Sequence, residues 1–83
     1  MKTTLHARLA VELARVMYLK AALDGSLTTP KIQNNLEMNL QKSNYLLKVA
    51  YLAEERGDTE VAKGLISQVI KISQKIITKS QEQ

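Results

Sequence analysis

The chain has 83 residues, enough for one domain and too few to bury a large core, so its stability alone should be modest. It has no Cys, which excludes disulfides and thiolate metal sites; without Phe or Trp, its 45% apolar fraction must build a core from Leu, Ile, Val, Ala, Met and three Tyr. A formal charge of +4 and a pI near 9.5 are mildly basic, which permits nucleic-acid contact without indicating it.

Arg8, Glu12 and Arg15 break the first apolar run, so no signal peptide is expected. No uncharged run approaches the roughly 18 residues of a membrane span. The expectation is a soluble, cytoplasmic protein.

The first helix is expected from about residue 4 to 24, capped by Thr3 or Thr4. Leu5, Leu9, Leu13, Val16 and Leu23 form its apolar stripe, interrupted by Lys20, with Arg8, Glu12 and Arg15 on a solvated face opposite. Ala7, Ala10, Ala14 and Ala21 form a second strip, small enough to let another helix approach closely. "DGSLTTPK" then turns the chain: Gly25 suits a left-handed C-terminal cap, Thr29 an N-cap and Pro30 the first helical position, with Leu27 closing on Ile32.

The second helix is expected over 30–56. Ile32, Leu36, Leu40, Leu47, Ala50 and Tyr51 make one stripe; Met38, Tyr45, Val49 and Leu52 make another on nearly the opposite side. Glu37, Gln41, Asn44, Lys48 and Glu55 fill a polar wedge between them. A helix that is apolar on two sides needs cover on two sides, as the central helix of a bundle or as one that also meets a partner.

Gly57 should end this helix and Asp58 cap the third, expected over 59–79 with 80–83 as a frayed tail. Val61, Leu65, Val69, Ile72 and Ile76 repeat at heptad-like spacing; Ala62, Ile66, Ile70 and Ile77 widen the face, and Lys63, Lys71, Lys75 and Lys79 occupy the rest. The result is an all-α, antiparallel three-helix bundle in a single domain.

The segment "GDTEVAKGLISQVIKI" resembles one tetratricopeptide hairpin, though no second copy is present and any helical hairpin can turn on Gly-Asp. The whole layout, with a leading amphipathic helix, a Gly-containing turn and the polar start "DGSLTTPKIQNN", resembles the small α-helical chaperones of type III secretion needle subunits. That resemblance implies a protein that holds an aggregation-prone secreted subunit. The basic third helix departs from it.

No catalytic, cofactor or metal site is expected. His6 has no ligand-type neighbour at useful spacing and reads as a surface residue. Ser26, Ser43, Ser67, Ser73 and Ser80 have no base arranged to activate them, and Glu54 and Glu55 beside Arg56 read as a solvated helix end. The function expected is therefore protein binding without catalysis, as a homo- or hetero-oligomer. Met38, Tyr45, Val49 and Leu52, with Leu65, Ile66 and Val69, are the candidate contacts for an amphipathic helix. The ordinary alternative is that helix three covers the Met38–Leu52 stripe inside the bundle. Lys63, Lys71, Lys75 and Lys79 could instead track phosphates, but they lack Arg and interleaved aromatics, and Ile66 stands where a helix-turn-helix needs Gly. A phage- or plasmid-type inhibitor also fits a small helical chain.

Overall fold

In a computed structural model, residues 3–25, 27 and 29–82 are described. They form α1 (Thr4–Leu23), α2 (Pro30–Glu55) and α3 (Thr59–Glu82). α3 runs beyond the expected end at Lys79, and Ser80 of the expected tail is helical and buried; Gln83 lies outside the described residues.

The helix ends follow the local chemistry. The Thr3 hydroxyl accepts from the His6 amide, and the His6 ring nitrogen Nδ1 accepts from the Thr3 amide at 3.1 Å, closing a capping box in which His takes the usual Glu or Gln place. Gly25 and Gly57 have φ of +74° and +77°, the left-handed turn that a side chain would strain. At the second turn the Gly57 amide donates to Glu54 at 3.0 Å and the Asp58 amide to Ala53 at 2.9 Å, the paired bonds of a Schellman closure. Thr29 stands at the α2 N-cap with Pro30 after it, but its hydroxyl makes no capping bond.

Two core clusters give the packing order. One joins Ala7 and Val11 of α1, Leu47 and Ala50 of α2, and Ile66, Val69 and Ile70 of α3. The other joins Ala14 and Tyr18, Leu36 and Leu40, and Ile76, with Leu27 and Ile32 closing its end. The start of α1 thus lies beside the end of α2 and the start of α3, so α1 and α3 run together and α2 runs against both. α3, rather than α2, is the most shared helix, because its apolar face is wide enough to meet both neighbours while α1 and α2 touch least. The molecule measures 43 × 20 × 14 Å, a flattened rod in which every helix keeps one side in water.

The α1 expectation is inverted. Its core face is Thr4, Ala7, Val11, Ala14, Tyr18 and Ala21, spaced alternately three and four apart, while Leu5, Leu9, Leu13, Val16 and Leu23 face outward. At 100° per residue those two sets lie on opposite sides of the helix. Arg8, Glu12 and Arg15 flank the leucines rather than oppose them.

Substitution should therefore separate size from importance. Leu36→Ala, at a fully buried position, should cost about 2–5 kcal/mol, and Ala14→Leu should cost at least about 1–3 kcal/mol through overpacking. Leu9→Ala should change monomer stability by less than about 0.5 kcal/mol. Urea denaturation of the three variants, at protein concentrations low enough to avoid association, checks the order.

Candidate functional site

Two polar contacts hold α1 at its rotation, and both fall on the polar wedge of α2. The buried Tyr18 hydroxyl donates to Glu37 Oε1 at 2.6 Å, and the Arg15 guanidinium donates to Asn44 Oδ1 at 3.5 Å. Glu37 and Asn44, two residues of the polar wedge, thus anchor α1 from the side. Burial, and then the Glu37 carboxylate, push the Tyr18 phenol above its ordinary value of 10.0, with Gln33 opposing in smaller measure.

With α1 so held, its outer face presents Leu5, Leu9, Leu13, Val16, Leu19 and Leu23, from 49% exposed at Leu19 to 86% at Leu23. Full burial of one such side chain is worth roughly 1.5–3 kcal/mol at ~25 cal/mol per Å², so the six together offer roughly 400–700 Å² of apolar surface. That equals or exceeds the largest patch of an ordinary monomer, about 300–600 Å². Leu19 was missed in the sequence, although its signal is there: residues 5, 9, 12, 16, 19 and 23 repeat strictly four, three, four, three, four.

The second apolar stripe of α2 is also uncovered. Met38 and Tyr45 are about two-thirds exposed, Leu52 is half exposed and Val49 half-buried. α3 does not cover them, because the opposite side of α2, Leu36, Leu40, Ser43, Leu47 and Ala50, is the side it packs on. The remaining candidates divide. Leu65 is half-buried against the first core cluster, but Ile66 and Val69 lie inside it and are not available at the surface. They hold the bundle together, because α3 turns its widest apolar face inward.

The lysines do not form one face. Lys63 sits 4.0 Å from Glu60, a surface pair of little energetic weight. Lys71, Lys75 and Lys79 line a shallow groove along α3 with Ile72, Gln74 and Thr78. Lys75 and Lys79 also border a polar recess of about 330 Å³ with Asn35 and Asn39. Among the described residues no acid lines either feature.

Of the hydroxyls, Ser43 is buried and donates to the Asn39 carbonyl at 2.8 Å, Ser73 and Ser80 are buried without a partner, Ser67 is exposed, and Ser26 lies outside the described residues. Among the described residues, no cluster of three His, Asp or Glu could hold a metal ion, and no helix is long and apolar enough to cross a membrane.

The Tyr18 contact makes a pH prediction. A raised phenol pKa means the folded chain holds that proton more tightly than the unfolded chain does. Its contribution is complete below pH 10 and is lost as pH rises through the folded value. Tyr18→Phe should cost about 1 kcal/mol near neutrality and should lose less stability than the parent between about pH 9 and pH 11. Urea midpoints of the two proteins across that range test it; parallel curves would contradict it.

Comparison with protein-family models, with curated proteins and with solved structures finds no match to this chain.

Proposed function

We propose that this protein is a non-catalytic protein–protein interaction module, a small cytoplasmic chaperone or adaptor that captures an amphipathic helix of another protein. The observation that carries the reading is the apolar surface left outside after the bundle has completed its own core. On α2, Met38, Tyr45 and Leu52 recur every seven residues, the spacing at which a second helix lying alongside would meet them, and Val49 adds to the same line. Tyr and Met are favoured at the centres of interfaces, and Gln41, Lys42 and Lys48 border the line as a polar rim. Leu65, half-buried on α3, is not required. A chaperone of secretion needle subunits is one form of this reading, supported by sequence texture alone.

A photoreactive phenylalanine analogue at Tyr45, introduced in the protein's own cells, should give a discrete crosslinked adduct. The same group at Gln68, exposed on the outer side of α3, should not, and Met38→Asp with Leu52→Asp should abolish the adduct while changing stability by no more than about 0.5 kcal/mol per site. No adduct at Tyr45, or an equal one at Gln68, would refute capture by this face.

A second reading is supported by the groove of Lys71, Lys75 and Lys79: a basic regulator that contacts nucleic-acid phosphates. It expects binding to duplex DNA or RNA whose log affinity falls with log salt by roughly 0.9 per neutralised duplex phosphate. Changing the three lysines to Gln should shrink that slope by two to three; an unchanged slope removes the reading.

A further inference from the structure

We infer that a second copy of this chain covers the outer face of α1, the two α1 helices packing antiparallel about a two-fold axis at Ala14. The inference rests on the protein-binding reading and names the partner of one face. The outward seam is Leu5, Leu9, Glu12, Val16, Leu19 and Leu23. Reversed about Ala14 it maps onto itself: Leu5 meets Leu23, Leu9 meets Leu19, and Glu12 meets Val16. An antiparallel pair therefore aligns every leucine with a leucine along the whole helix, which an isologous interface requires.

Charge selects the same direction. A parallel pair in register would set Glu12 against Glu12 in the middle of an apolar seam. The antiparallel pair separates the two carboxylates and places each between the Arg15 of its own chain, 3.5 Å away, and the Arg15 of the second copy. Among the described residues, Arg8 and Lys20, the other cations bordering the face, fall toward its ends, where water screens them. The area also suffices. Two such faces remove roughly 1,000 Å² of apolar surface, and the flanking side chains bring the total toward the ~1,200 Å² of a specific interface. Among the described residues no element of the same chain lies over the seam, and the Met38–Leu52 line of α2 stays free for a different partner.

The chain has no Cys, so single cysteines report the geometry without background. Light scattering should give twice the 9.3 kDa chain mass at about 100 µM, and Leu9→Asp with Leu19→Asp should weaken association by roughly 100-fold or more with unchanged helicity. Under a short thiol crosslinker, Leu13→Cys should couple to itself beside the axis. Leu23→Cys alone should not, its two copies lying about 27 Å apart, whereas a mixture of Leu5→Cys and Leu23→Cys should couple. A monomer at that concentration, a dimer indifferent to the Asp pair, or self-coupling of Leu23→Cys would each overturn the inference. A monomer whose Tyr45 adduct persists would overturn self-association alone; loss of that adduct in an intact dimer would overturn helix capture alone.

Discussion

The placement of everything else depends on the small-residue seam of α1. Ala7, Ala14 and Ala21, with Thr4, Val11 and Tyr18, are buried against α2 and α3. Alanines let helix axes approach at the close end of the usual 8–10 Å range. Leucines at the same positions would hold them apart and break the fit with the Ile and Val side chains of α3. Tyr18 on Glu37 and Arg15 on Asn44 then lock the rotation, since turning α1 would break both bonds.

This arrangement divides the work between the helices. α2 and α3 carry most of the large buried side chains: Leu36, Leu40, Leu47, Ile66, Val69, Ile70 and Ile76. α1 adds close packing, Val11 and one aromatic, and keeps six aliphatic side chains in water. By area alone, an isolated chain would do better with the leucines inside, at roughly 1.5–3 kcal/mol each. The Tyr18 and Arg15 contacts hold the rotation against that preference and leave the aliphatic face outside. The flattened rod follows as well, because α1 and α2 each lean on α3 and touch one another least.

The outer faces differ in chemistry, and the difference bears on what each can hold. The α1 seam is aliphatic apart from Glu12 near its middle, as suits a lasting contact. The α2 line is sparser, built from Met and Tyr at every second turn with polar residues between, as suits an exchangeable one. The Lys71, Lys75 and Lys79 groove differs from both in carrying charge, with Ile72 as its large apolar lining residue.

Sequence alone determined the three helices, both turns and most of the inward stripes of α2 and α3, from which Tyr51 and Val61 depart by staying exposed. Those depend on local rules: Gly25 and Gly57 at left-handed positions, Pro30 at a first helical turn, and apolar spacing where only one stripe is large and continuous. It also marked Met38, Tyr45, Val49 and Leu52 as a second face, though not whether α3 would cover it. Tertiary structure decided which side of α1 turns inward, which helix is shared most, and that Ile66 and Val69 are closed off from any partner. The physical reason is that periodicity counts apolar residues around one helix, whereas burial depends on how closely neighbouring helices approach. For α1 the alanines fitted that space, and the leucines were left outside.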